Sequence, residues 1–566
     1  MKRIISLILA VALMLGALAL FTGCATKHPG ATINVYLGNS VYDFDPTDYY
    51  ADSNADQLMS MLFEPLFRVN EKGKLENAAA KKYKVDYEAR TIVIDIRETY
   101  WSDDTRVCAA DFVYAIRDRI LNPANPNPAA ALFYDIENAA NAKSGNCSIN
   151  DIGIVASENY QITITYREGA DVDQLLMNLA SVAASPVKSA TVESAPTYWS
   201  KTVNTMVFNG PFKIKTFDNT TGAMTLSRNL GYHQDPTSKD YDNKVRPNEL
   251  IATFTVNGQE VAISYSDLEN KTVFYMTDAS VADRANGGDK YDDTSVYTYV
   301  FNTNNPLFAN AKVRKALSMA IDRQAIANAV KLGKAANGFI PDFMGGSSEA
   351  LINTSADLDG ARALLAEVDL TGISKSFTLT VNNDEESKTI AALVEAAWES
   401  LGFNVTVKLA GVKNAVVQEI QITDSEIQWL VKEASYGNFQ FDVLAVDWQL
   451  YSTDPFVGLS AFSTGLGGGG YDVSANANRL NIAGWQSASY DSLINGAFKN
   501  MDDTRAQYLK DAEKLLCEAS PVCPILFNET VGYQSSEIKK VTVDGYGNII
   551  FTDMKLKNYE NYLPQE

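Results

Sequence analysis

Hydrophobic positions change period along the chain, and each change marks an element. Phe377, Leu379 and Val381 alternate with polar neighbours as a half-buried strand does. Ile390, Leu393, Val394, Ala397, Trp398 and Leu401 then recur at the spacing of one helix face, and Phe403, Val405, Val407 and Leu409 alternate again. Gly402 stands between them, where a helix end favours a left-handed residue. Strand, helix and strand in this order predict a parallel pair joined by a crossover. A second helix is predicted after Asn310, a good N-cap, with Val313, Ala316, Leu317, Ala320 and Ile321 as its apolar stripe. Earlier in the chain, Thr91 to Ile96 reads as a strand, and Ala109 to Leu121 as a helix stopped by Asn122-Pro123. Asn125-Pro126-Asn127-Pro128 is predicted as an extended loop and Gly465 to Gly470 as a flexible one. Alternating strand and helix signals make this an α/β chain, and at ~100–200 residues per domain its 566 residues suggest about three or four lobes.

The N-terminus adds an address. Lys2 and Arg3 precede the apolar run Ile4 to Leu20, and Phe21-Thr22-Gly23-Cys24 resembles a bacterial lipobox, with Phe21 where Leu is usual. The expectation is an export signal over residues 1–23, lipid on Cys24 and a tether over 24–31. An uncleaved membrane anchor is the alternative. Four other cysteines remain, Cys108, Cys147, Cys517 and Cys523. Chain proximity favours Cys108–Cys147 and Cys517–Cys523 among the three pairings, with buried free thiols as the alternative.

Charge and composition then remove whole classes of function. Sixty-nine Asp and Glu against 48 Lys and Arg, a net charge of -21, oppose nucleic-acid binding, which needs clustered cations. Two histidines, His28 and His233, and no Cys/His cluster leave no metal site and no cofactor to expect. Gly465 to Gly470 matches G-x-G-x-x-G in letters, but no helix is predicted after it to receive a phosphate. Ser185-Pro186-Val187-Lys188 matches S-x-x-K without the partner motifs of that chemistry. A carboxylate pair for glycoside hydrolysis is the remaining catalytic reading, and no spacing points to one.

Five blocks, in order, resemble the extracellular solute-binding proteins of bacterial ABC importers, family 5, the oligopeptide- and dipeptide-binding type. They are Phe44-Asp45-Pro46 with Leu62-Phe63-Glu64-Pro65-Leu66; Trp101-Ser102-Asp103-Asp104-Thr105 with Ala110-Asp111-Phe112-Val113-Tyr114; Asn209-Gly210-Pro211-Phe212 with Arg228-Asn229 and Tyr232; Phe301-Asn302-Thr303 with Val313-Arg314 and Ala320-Ile321-Asp322-Arg323; and Trp448 with Asp454-Pro455, Gly484-Trp485 and Tyr490. Asp104 replaces the family's Gly, so that turn is expected to differ.

The resemblance implies a two-lobed periplasmic-binding-protein-like fold with an additional third lobe and a hinged cleft. Residues 32–67, 202–300 and 527–566 would form lobe I, 68–201 the extra lobe and 301–526 the second binding lobe. It further implies a monomeric, non-enzymatic receptor on the outer face of the cytoplasmic membrane, passing an oligopeptide or similar small solute to a permease. A nickel chelate, an oligosaccharide or an opine is the alternative solute, and a cell-surface hydrolase or a sensory receptor the alternative role. The ligand would lie extended between two walls as an added strand. One wall is Tyr49, Tyr50 and Ala51; the other is Val446, Asp447 and Trp448. Peptide binders carry an Asp four residues before the Pro of the second wall for the ligand's ammonium; here that position is Tyr451. Either Asp447 or Asp454 reads the amine instead, or the ligand has none.

Overall fold

A computed structural model describes residues 30–48, 53–237, 244–259, 263–277, 280, 283–500 and 504–562. The expected signal, Cys24, most of the tether, and Tyr49, Tyr50 and Ala51 lie outside the described residues. No described helix is long and apolar enough to cross a membrane.

Among the described residues, an 11-stranded mixed sheet runs through both halves of the molecule. Its order is Asn404–Leu409, Ser376–Val381, Val443–Gln449, Asp289–Phe301, Val522–Gln534, Tyr275–Thr277, Thr32–Asn39, Glu249–Thr255, Ala223–Arg228 and Phe212–Asp218, with Lys334–Ala335 also paired to Val522–Gln534. Two strands of 13 residues, Asp289–Phe301 and Val522–Gln534, sit at its centre and run antiparallel. One end of the pair belongs to a half built on Thr32–Asn39, the other to a half built on Val443–Gln449. Their ladder breaks between Asp292 and Val296, where the register shifts. A register break in an antiparallel pair leaves backbone unpaired and lets it bend, so the joint between the halves lies at that break. Beyond it, Val296 to Phe301 is buried on both faces, as the inner strand of a covered sheet must be.

The predicted strand–helix–strand unit forms as Ser376–Val381, Glu385–Glu399 and Asn404–Leu409, with the strands parallel in the register Ser376↔Asn404. Asp384 caps the helix by accepting from the Ser387 N–H at 2.6 Å, and Gly402 takes φ 88° at its end. The buried face is narrower than the periodicity implies. Ile390, Ala391, Val394 and Trp398 are buried, but Leu393 is exposed at the edge of the stripe. Trp398 lies 5.8 Å from Tyr299 and 5.6 Å from Phe377 between ring centroids, and its Nε1 donates to Leu317 O at 2.9 Å. Asn310 caps Ala311–Met319 as expected, and the whole predicted stripe is buried.

A third lobe carries a separate antiparallel sheet, Ala80–Asp86, Thr91–Ile96, Gln161–Thr165 and Ile154–Glu158. The predicted helix after Cys108 begins as an α-helix over Ala109–Val113 and widens to a π-helix over Tyr114–Ile120. From this wider turn Arg119 reaches Asp45 and Thr47. Asp104 takes φ 64°, in the left-handed region that Asp tolerates better than most side chains.

Neither disulfide expected from chain proximity forms: all four described cysteines are free. Cys108 Sγ donates to the Asp111 carboxylate at 3.3 Å, whereas Cys147 Sγ points to Asn138 O. Cys523 Sγ accepts from Arg323 at 3.4 Å, and Cys517 sits in the helix Thr504–Ala519. Nearness along the chain brought neither pair of sulfurs together.

Two structures clasp the second half mainly onto the third lobe, the first of them reaching the other half as well. The hairpin Val412–Val417/Ile420–Ser425 pairs only with itself and reaches from the second half to the other side. Ile422 enters a cluster with Ala115, Val187, Tyr198 and Trp199. Tyr198 Oη donates to Gln418 at 3.1 Å, Asn219 donates to Thr423 at 3.2 Å, and Lys201 pairs with Asp424 and, at 3.4 Å, with Asp43. The glycine loop is the second clasp. Asn127 N donates to Gly468 O at 2.6 Å, and a Cβ on Gly468 (φ 68°) would overlap the Asn127 carbonyl, so backbone meets backbone there. A two-residue strand, Tyr471–Asp472, follows the loop.

At the hairpin's base Glu426 accepts from Gly411 N at 2.9 Å and pairs with Lys408 at 3.0 Å and Lys413 at 3.1 Å. Burial alone would push its carboxyl up, but these donors hold it at about 2 against an ordinary 4.5. Its contribution is therefore complete above pH 4.5 and is lost as pH falls toward 2. Glu426→Gln is expected to lower the urea midpoint at neutral pH and to converge on the unsubstituted protein near ~pH 2; an equal deficit at both pH values would contradict this.

Candidate functional site

The C-terminal ends of Thr32–Asn39, Glu249–Thr255 and Tyr275–Thr277 in one half face those of Ser376–Val381 and Val443–Gln449 in the other. Such ends, outside a sheet, are where α/β proteins gather ligands. A cleft of about 610 Å³ opens between them. Tyr36, Asn39, Asn54, Thr255 and Thr277 form one wall, Asp384, Ser387 and Asp447 the other, and Asp293, Tyr297, Asn528 and Thr530 the floor. The floor residues come from the two crossing strands beside the register break.

The rim is closed by contacts between the halves. Arg284 pairs with Glu386 at 2.9 Å and donates to Val330 O at 2.7 Å, Asn383 Nδ2 donates to Asn257 O at 2.8 Å, and Lys432 pairs with Asp48 at 3.0 Å. The molecule is therefore in a closed conformation around an open interior volume.

One edge of the second wall is unused. Val443–Gln449 pairs along its length with Asp289–Phe301, but Ser376–Val381 pairs with it only at Val443 and Leu444. From Ala445 to Gln449 no described strand covers that edge, and the cleft lies beside it. An extended chain could pair there through its backbone alone.

The proposed site residues divide by strand alternation. Asp447 faces the cleft, where its carboxylate accepts from Asn528 Nδ2 at 2.9 Å. Val446 and Trp448 face the other way, onto a small adjoining cavity walled by Pro126 to Pro128 and Gly467 to Gly469. Trp448 is 7% exposed, stacked on Phe462 at 4.8 Å and edge-on to Phe339 at 6.1 Å. Tyr451 is buried in the main core with φ 60°. Asp454 caps Pro455–Ser460 by accepting from Phe456 N at 3.1 Å and pairs with Arg505 at 2.7 Å, so its carboxylate already serves the fold. His233 Nε2 donates to the Glu64 carboxylate at 2.5 Å, which also accepts from Tyr232 Oη at 2.6 Å; the three form a staple away from the cleft.

Asp293, Tyr297, Asn528, Thr530 and Asp384 have no local sequence signal, because each is brought in by pairing between distant segments. Burial pushes the Asp293 carboxyl up to about 7, helped by the negative charges of Asp56 and Asp447. Burial likewise raises Asp384. Among the described residues, no group of three or more His, Cys, Asp or Glu side chains is arranged to hold a metal ion.

Comparison with known proteins agrees with this architecture. The oligopeptide-binding protein OppA of Bacillus subtilis is 25% identical over 578 residues, covering 98% of this chain and 99% of the relative. The dipeptide-binding protein DppE of the same organism is 27% identical over 530 residues, covering 90% of this chain and 89% of its own length. Listeria monocytogenes OppA bound to peptide superposes with a TM-score of 0.76 at 20% identity, over 94% of this chain and 99% of that one, and so shares the fold. Residues 74–470, well over half of the chain, match the family described as bacterial extracellular solute-binding proteins, family 5 Middle. With its halves joined by two crossing strands around a cleft, this chain belongs to the family 5 bacterial extracellular solute-binding proteins.

Proposed function

We propose that the protein is the capture component of an ABC importer: it takes an oligopeptide or similar small solute into the cleft, closes on it, and hands it unchanged to a membrane permease. In this reading Cys24 carries the lipid that holds it at the outer face of the cytoplasmic membrane. The observation that carries the reading is the cleft of about 610 Å³ walled by both halves and floored by their joint. That volume falls in the ~300–1,000 Å³ range of small-molecule sites. The bare edge at Ala445 to Gln449 supports a peptide in particular, since main-chain pairing holds a strand whatever its side chains. A ligand touching both walls makes contacts available only in the closed state, and so shifts the population toward it.

Native mass spectrometry of the purified protein tests this. The expected result is a heterogeneous set of short-peptide masses bound one to a molecule, and added peptide recovered intact. A single sugar or metal complex in the cleft would replace the peptide reading with another solute. Turnover of added peptide would favour a hydrolase.

A further inference from the structure

Resting on the reading of the cleft as the capture site, we infer that the solute is a peptide read on alternate residues. One side chain must be small and apolar, to enter the cavity behind the second wall, while its immediate neighbours are free to be large or charged. The bare edge from Ala445 to Gln449 separates two spaces of opposite character. On the Asp447 side lies the cleft of about 610 Å³, with charged side chains along its walls. On the Val446 and Trp448 side lies a cavity of about 40 Å³, walled also by Pro126, Pro128, Leu480 and Ile482. Among the described residues, no charged side chain lines it. A strand pairing with this edge points successive side chains to opposite faces, so its residues enter the two spaces by turns. At ~10–15 Å³ for each water, the cavity holds about three waters, close to the three carbons of a valine side chain.

The polar groups around the cavity narrow the choice further. Asn127 Oδ1 accepts from Ala129 N at 2.9 Å and its Nδ2 donates to Thr47 O at 2.5 Å. Asn481 Oδ1 accepts from Ala483 N at 3.1 Å and its Nδ2 donates to Trp485 O at 2.7 Å. Both amides are committed to the fold's own backbone, so a charged group entering here would give up its water for little in return. Gln449 is the exception. It ends the bare edge, lines the same cavity and is 3% exposed, and its Nε2 has no acceptor among the described residues. A donor buried without an acceptor costs the fold stability, and an arriving carbonyl oxygen removes that cost. A peptide strand on this edge brings main-chain carbonyls whatever its sequence. Gln449 would then hold the backbone while the cavity reads the side chain.

The test is calorimetric titration of the full-length protein with Ala-Ala-Ala-Ala-Ala, Ala-Trp-Ala-Trp-Ala and Ala-Trp-Trp-Ala-Ala. The two tryptophan peptides share one composition, but only the alternating one can keep both rings in the cleft. Adjacent rings must send one toward the cavity, whichever way the strand slides. The adjacent pair is expected to bind at least about tenfold more weakly than the alternating pair. Ile482→Ala enlarges the cavity and should narrow that gap about threefold or more, with the alternating peptide unchanged. Gln449→Leu should weaken all three peptides by a similar factor of about three to ten. The solute-free Gln449 variant should meanwhile keep or raise its thermal midpoint, the reverse of what a merely structural amide would give; the same measurement confirms that the Ile482 variant folds. Equal affinity for the two tryptophan peptides, or a gap untouched by Ile482→Ala, would overturn the assignment of the cavity while leaving capture intact. Unaltered affinities in Gln449→Leu would overturn the role given to that amide. Binding of none of the three would overturn the peptide reading and this inference with it.

Discussion

Ile422→Asp is expected to swing the molecule open without unfolding it. Ile422 is 5% exposed inside the cluster on the far side of the cleft, and its hairpin pairs only with itself. Removing the buried side chain costs about 2–3 kcal/mol of apolar burial, and a carboxylate among Ala115, Val187 and Trp199 costs a further ~1–3 kcal/mol. Both penalties vanish when the hairpin detaches, because water then solvates the new charge. At ~1.4 kcal/mol per factor of ten, the closed state should lose about two to four decades of population. Small-angle scattering should show a larger radius of gyration, and bound solute should leave correspondingly faster. Val416→Asp supplies the control: it places the same charge on the same hairpin at a position that is 73% exposed. If the Ile422 variant scattered like the control and released solute no faster, the hairpin would not be a closure contact.

The second large effect is expected at Arg323, which has no solvent exposure. Its guanidinium donates to Pro524 O at 2.6 Å, Ser318 O at 3.0 Å, Asn353 O at 2.9 Å and Ser318 Oγ at 2.8 Å. One side chain thus satisfies backbone carbonyls from three segments of the second half. Arg323→Met keeps much of the volume and leaves those acceptors buried without donors. At about 1–3 kcal/mol for each unsatisfied group, a loss of ~4 kcal/mol or more is expected, read as a lower urea midpoint. Arg323→Lys should recover only part, since an ammonium has three donors and no fork. A midpoint in the methionine variant within about 1 kcal/mol of the unsubstituted protein would show that the carbonyls find other donors.

The two predictions separate what each link of the chain supplies: Arg323 holds one half together, whereas Ile422 sets the balance between two arrangements of intact halves.

Local pattern determined much of this protein. The unit from Ser376 to Leu409, the Asn310 cap and its buried stripe, and the Gly402 helix end depend on neighbours within about a turn or a strand pair, so periodicity and turn chemistry sufficed. Alternation also placed Asp447 and Trp448 on opposite faces, but which face met the cleft was undecided until Val443–Gln449 found its place beside Asp289–Phe301. Leu393 fell outside its helix's buried face because packing against the sheet, rather than the helix's own period, set the rotation. The cysteines stayed apart because chain proximity says nothing of where side chains point. Asp293, Tyr297 and Asn528 reach Asp384 and Asp447 only through pairings between segments far apart in the chain, and the clasp of Ile422 onto Trp199 is of the same kind. Such contacts arise from the folded sheet as a whole, whose register no local stretch of residues carries.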